Sequence, residues 1–195
     1  MTAYTAIEKA KDGSLIPLCG SLSLHSKYNP AREAVQFAAQ FDADISFFVV
    51  LGLAGGYHIE ALLQRFPTAT IVAVEATEDD IAFLRSIPCV ARLLQEKRVH
   101  VTDVAHCESV LKAVFRPAEH TKLQLAALRA WEQCMGEQAR FAVESVQSAL
   151  KAISADFSVQ SHFGGIWQRN ILQNLRYAAT QVPQTLTFPT RKIAA

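Results

Sequence analysis

"FFVVLGLAGGYHIEALLQRF", Phe47 to Phe66, carries an apolar block into a cluster of glycines and then into a helical pattern. The apolar run from Ile45 to Leu51 is short enough for a strand buried on both faces. Ile59, Leu62, Leu63 and Phe66 then recur at helical spacing. Between them Gly52, Ala54, Gly55 and Gly56 lack bulk, so the backbone can turn sharply and a ligand can approach main-chain N–H groups at the helix start. A strand that breaks at glycine and restarts as a helix opens many nucleotide-binding α/β domains, and also many that bind nothing.

Outward from this unit the alternation continues. Pro67 ends the helix, and "ATIVAVEA" supplies a second buried strand with Glu75 at its carboxyl end. Thr77 to Ile87 is helical, "RVHVTD" gives a third strand ending at Asp103, and Cys107 to Phe115 is helical again. "KLQLAAL" suits a fourth strand or a helix start, with strand preferred. Strand and helix in alternation imply a parallel sheet with right-handed crossovers. Upstream, residues 1–28 alternate around Asp12-Gly13 and Cys19-Gly20 and predict a small β-meander. Asn29 can cap, Pro30 suits the first helical position and Glu33 the first turn of a helix reaching about Phe41. Residues 129–180 form a helical extension with one pattern over Ala130 to Ala155 and another over Phe163 to Ala178, the second with Trp167, Ile171 and Leu175 on one side. Residues 181–195 are an extended connector. The expected fold is α/β, a Rossmann-like (methyltransferase-like) domain over 29–128 between the meander and the extension.

The totals narrow the function. A chain of 195 residues, half of them apolar, suits one principal core. With 19% charged residues and a formal net charge of +1, it has no electrostatic attraction for nucleic acid or acidic membranes. No apolar run approaches the roughly 20 residues of a spanning helix, and the first ten residues have no secretory pattern, so a cytoplasmic location is expected. Cys19, Cys89, Cys107 and Cys134 lie far apart with no C-x-x-C pair, which predicts reduced thiols and no metal centre.

The chemistry concentrates at the glycine turn. Gly52, Ala54 and Gly56, with Gly55 between, are followed about 20 residues later by Glu75, where a carboxylate can accept both hydroxyls of a ribose. Asp103 stands where class I methyltransferases often contact the adenine edge. In order, these features resemble the S-adenosylmethionine-binding half of that superfamily more than a pyrophosphate fingerprint, because G-x-G-x-x-G is not met. The acidic residue usual two positions before the first glycine is Val50 here. Tyr57 and His58, in the first helical turn, complete the candidate cofactor-binding set, His58 either as a donor to the ligand or in capping and packing. The alternative is that the glycines only make a tight turn, Glu75 caps the next segment and Asp103 caps the next helix. Glu78, Asp79 and Asp80 complement a helix dipole. No Ser-His-Asp or Cys-His set can be assembled.

Two further stretches, "LHSKYNPAREA" (Leu24 to Ala34) and "GGIWQRNILQNL" (Gly164 to Leu175), extend the comparison. With the glycine turn they resemble the amino-terminal region of the motility-associated factor (Maf) family and its relatives similar to an MptE-type pterin diphosphokinase. Ser26, Lys27, Tyr28, Asn29, Pro30, Glu33 and Ala34 match that family's first block. Gly52, Leu53, Gly56, Tyr57 and His58 match its G-L-G-x-G-Y-H turn, with Ala54 replacing a glycine, and Trp167, Asn170 and Asn174 match its third block. The resemblance implies a link to transfer of nonulosonic acids onto flagellin, assigned in that family to a second domain opening with a G-x-G-P-S-L motif. That motif is missing, and the sequence stops at "PTRKIAA", about where the second domain would begin. The implied role is therefore a module that does not catalyse transfer alone. It would bind a nucleotide-like ligand, or dock a catalytic C-terminal domain or related glycosylation protein, with self-association as a further option. Two rivals stand beside it: a methyltransferase using S-adenosylmethionine, and a ligand-free structural interaction domain.

Overall fold

The computed structural model of the chain describes residues 2–180. The meander is present as β1 (Ala6–Lys9), β2 (Leu15–Cys19) and β3 (Leu22–Ser23), antiparallel in the order β1-β2-β3. α1 (Pro30–Ala38) starts as its sequence requires, with the Arg32 N–H donating to Asn29 Oδ1 at 2.7 Å and Pro30 in the first turn.

The main sheet follows. Its elements are β4 (Phe47–Leu51), α2 (Tyr57–Arg65), β5 (Thr70–Glu75), α3 (Glu78–Leu84), α4 (Pro88–Leu93), β6 (Val99–Asp103), α5 (Cys107–Val114) and β7 (Leu123–Ala127). The strands pair in parallel in the order β6-β5-β4-β7, with Val49 opposite Val72 and Leu125, and Val72 opposite His100. This is the expected Rossmann-like α/β fold. Every residue of β4 is buried, which is why that strand reads as unbroken apolar sequence rather than as an alternation. "KLQLAAL" becomes a strand because β4 has a second edge to satisfy, and β7 lies along it from Phe47–Leu123 to Leu51–Ala127. Two strands, β5 and β6, thus step away from β4 in one direction while β7 returns to its other side. The loops at the carboxyl ends of β4 and β7 therefore flank a topological switch point.

Three expectations need correction. The helix expected over Thr77 to Ile87 stops at Leu84, and Pro88 opens α4, since proline has no N–H to give to a helix passing through it. The extension divides elsewhere than predicted. α6 (Arg129–Met135) ends at Gly136, whose φ of +48° lies in the left-handed region, and α7 then runs as one helix from Glu137 to Thr180. The chain up to Ser154 forms one compact unit, and the later part of α7 belongs to a second. The expected connector, 181–195, lies outside the described residues. Finally, Cys19 and Cys134 are joined as a disulfide with their Cα atoms 6.2 Å apart, while Cys89 and Cys107 are free and buried. Spacing cannot reveal such a pair, because the 115 residues between its members close only when the end of β2 meets α6. No helix among the described residues is long and apolar enough to cross a membrane.

Thiol titration in denaturant without reductant should therefore find Cys89 and Cys107 reactive and Cys19 and Cys134 silent. Reduction should lower the unfolding free energy by about 2–5 kcal/mol, the upper end being the chain-entropy value for a loop of that length. Four reactive thiols in the unreduced protein would contradict the pairing.

Candidate functional site

Glu75 ends β5 beside the glycine turn, with no exposed surface. Its Oε2 accepts hydrogen bonds from the Tyr4 hydroxyl (3.0 Å), the Leu53 N–H (3.0 Å) and the Ala54 N–H (3.3 Å). Its Oε1 accepts from the Ala76 N–H (2.8 Å) and from the indole Nε1–H of Trp131. A carboxylate offers about four lone-pair sites. Five donors therefore use its whole accepting capacity. Burial pushes the Glu75 carboxyl above the usual glutamate range, and the donors, Trp131 foremost, offset only part of that rise. Tyr4, buried against this carboxylate, has its own ionisation pushed well up, so it remains a phenol and a donor.

The main-chain donors of the turn are equally engaged. The Gly52 N–H donates to the Val74 carbonyl (2.8 Å), the Gly55 N–H to His25 Nε2 (2.9 Å) and the Gly56 N–H to the Leu53 carbonyl (2.9 Å). With Leu53 and Ala54 bound to Glu75, every N–H from Gly52 to Gly56 has an internal acceptor. The missing side chains are explained by what lies against the turn. Gly52 has φ +95°, and a Cβ there would stand 2.6 Å from Cγ of Trp131. A Cβ on Gly55 would meet the rings of Tyr57 and His25, at 2.8 and 2.9 Å. Here the glycines admit protein side chains to the backbone.

The remaining candidates are distributed around this centre. Ala54 is the one non-glycine residue with positive φ among the described residues, at +43°, where the resembled family carries glycine. The Tyr57 hydroxyl donates to the Leu15 carbonyl (2.8 Å), tying α2 to the meander. His58 Nε2 lies 2.9 Å from the Gly52 carbonyl, and Nδ1 has no partner. Burial, and then the neighbouring His25, push its ring pKa down to about 3. Asp103 faces Glu75 in strand register, and its Oδ1 accepts from the His106 N–H (2.9 Å) and meets the ring Nδ1 (2.6 Å). Donor atoms of Glu78, Asp103 and His106 lie within 4.8 Å of one another. Asp103 already accepts from His106, and that pair makes a hydrogen-bonded approach to α5, while Glu78 belongs to the start of α3.

Sequence reasoning missed Tyr4, His25 and Trp131. Each comes from a segment far from the turn, and the only local signal was a bulky aromatic ring with a polar handle that must find a partner when buried. Asp80, placed by sequence in an acidic helix start, is also buried. It accepts from the Thr2 hydroxyl (2.7 Å) and the Ala3 N–H (2.8 Å), which holds the N-terminal segment where Tyr4 can reach Glu75.

No protein-family model matches the chain. An uncharacterized protein of Treponema pallidum (strain Nichols) is 33% identical over 95 residues, 47% of this chain and 45% of that protein. Among solved structures, the MAf glycosyltransferase from Magnetospirillum magneticum AMB-1 is similar over 74% of this chain and 31% of that one, with 16% identity and a TM-score of 0.48. The match thus spans less than half the length of either protein.

Glu75→Ala should strand five buried donors and cost about 3–5 kcal/mol in denaturant unfolding. Ala54→Gly should do the reverse, gaining about 0.5–1 kcal/mol by relieving the left-handed alanine. His58 predicts a pH effect. Between its unfolded pKa of 6.5 and its native value of about 3, the unfolded chain binds a proton that the native ring refuses. Stability should therefore fall on acidification through that window, by up to about 1.4 kcal/mol per pH unit, and a His58→Gln variant should lack this share.

Proposed function

We propose that this chain is a non-transferase module of the Maf type, working by docking to a glycosylation partner rather than by holding S-adenosylmethionine or a nucleotide on its glycine turn. One observation carries the reading: Glu75, the residue that would accept ribose hydroxyls, already receives five protein donors. A nucleoside would have to displace Tyr4 and Trp131 and would find no free N–H on the turn for its charged end. The same saturation argues against the methyltransferase rival. In the Maf reading, sugar transfer onto flagellin in the cytoplasm belongs to a second domain carrying the G-x-G-P-S-L motif.

The docking half of the proposal rests on α7. Ile171 and Leu172 are 58% and 62% exposed, and Asn170 and Asn174 beside them are exposed too. Two apolar side chains flanked by amides make a face that a neighbouring protein surface can dry and hydrogen-bond. The side chain of Trp167, the remaining member of that motif, lies outside what the structure describes.

Calorimetry of the purified chain against S-adenosylmethionine, S-adenosylhomocysteine and nucleotide sugars should show no binding. Incubation with activated nonulosonic acid and flagellin should give no transfer. Tight binding of S-adenosylmethionine that Glu75→Gln abolishes without loss of melting temperature would replace this reading by the methyltransferase one.

A further inference from the structure

Beside the turn the fold leaves open space. A cavity of about 450 Å³ lies where the end of β7 faces α1 and the start of α2, lined among others by Glu33, Gln36, Phe37, His58, Leu128 and Arg129. This is the switch point of the sheet, between the loops that leave β4 and β7 in different directions. Its volume is within the range of sites for small organic molecules. It lies apart from the Glu75 carboxylate, and none of the residues that saturate that carboxylate lines it.

His58 makes this more than a crevice. Its Nε2 meets a carbonyl, that of Gly52, so the ring proton resides on Nε2 and Nδ1 presents a lone pair. The residue is 1% exposed, and Nδ1 is the one buried side-chain polar atom without a hydrogen-bond partner among the described residues. An orphaned buried acceptor is costly, and the adjoining cavity is the space from which a donor can reach it. Phe37, whose ring meets that of His58 edge-on at 5.5 Å, and Leu128 provide apolar wall.

The rim is polarised. On the α1 side stands Glu33, whose Oε2 accepts from the Ser26 N–H (2.8 Å) and lies 3.8 Å from Nδ1 of His25. His25 accepts on Nε2 from Gly55, so Nδ1 is the nitrogen that turns a proton toward Glu33, and that contact holds the Glu33 carboxyl below its usual range. On the β7 side stands Arg129, exposed and without an ion-pair partner among the described residues. An occupant must therefore turn a hydrogen-bond donor toward His58 and Glu33 and its negative charge toward Arg129.

We propose that this switch-point cavity is a binding site for a small organic acid bearing a hydroxyl or amino donor at the end remote from its carboxylate, with His58 Nδ1 accepting the donor and Arg129 pairing with the charge. The proposal is independent of the docking role of α7 and of the closed state of Glu75. It gives the module a small-molecule input beside the glycine turn, through His58 rather than Glu75.

Four probes separate the two contacts: 4-hydroxybenzoate and 4-aminobenzoate carry both groups, benzoate lacks the donor, and 4-hydroxybenzamide lacks the charge. Titration would be followed by the ¹⁵N resonances of the histidine rings in the full chain. The first two should shift the His58 Nδ1 resonance in the direction of an accepted hydrogen bond. Benzoate and 4-hydroxybenzamide should each bind about fivefold or more weakly, the scale of one lost hydrogen bond. Arg129→Gln, a change at an exposed side chain, should leave the melting temperature intact and erase the preference for the acid over its amide. A His58 Nδ1 resonance unmoved by all four probes, or one moved equally by benzoate and 4-hydroxybenzoate, would overturn the assignment. So would retention of the acid-over-amide preference in Arg129→Gln.

Discussion

Withdrawing a carboxylate from water costs several kcal/mol unless donors occupy its lone pairs, and Glu75 meets that demand from four parts of the chain. Tyr4 arrives from the N-terminal segment, Leu53 and Ala54 from the glycine turn, Ala76 from the residue after β5, and Trp131 from α6. Each donor also needs Glu75, because a buried phenol, indole or amide without an acceptor is penalised in turn. The carboxylate thus sets the distance between the turn and β5, and it fixes how the first residues and α6 close over the sheet.

From that constraint follows the reversal of a familiar pattern. Glycines after the first strand of an α/β sheet ordinarily admit a ligand to the backbone. In this chain Gly52 admits Trp131 and Gly55 admits His25 and Tyr57. The protein has filled, with its own aromatic and imidazole groups, the volume that a nucleoside and its charged end would occupy. The filling is incomplete. Trp131 and Tyr4 engage Glu75, while a cavity with His58 on its wall remains between the end of β7 and α1.

The two histidines near the turn share one logic with opposite outcomes. His25 is satisfied at Nε2 by Gly55 and faces Glu33 with Nδ1, so both of its nitrogens have protein neighbours. His58 is satisfied only at Nε2, by Gly52. Their rings stand 5.5 Å apart, and burial together with this neighbour keeps His58 neutral. The difference between a packing histidine and one that waits for a donor is thus a single unfilled contact. The disulfide between Cys19 and Cys134 strengthens the same assembly from outside by joining the meander to the helix that carries Trp131.

Local pattern was enough for the sheet. Apolar runs at 45–51 and 71–75 could only be buried strands, Asn29-Pro30 could only begin a helix, and helix and strand in alternation required parallel pairing, all because these signals act within a few residues. The glycine turn and Glu75 were legible for the same reason. Their use was not. Whether Glu75 faces a ribose or five protein donors depends on Tyr4, 71 residues upstream, and Trp131, 56 residues downstream. Nothing in the spacing of either announces the contact. The same holds for Cys19 and Cys134. By itself the sequence determined the first three strands of the sheet, the start of the first helix and where a ligand would be sought, since backbone preference and apolar period are local. Only the tertiary structure decided that this place is occupied by the protein itself and that a cavity remains beside it, since occupancy is set by side chains that distant parts of the chain bring to the turn.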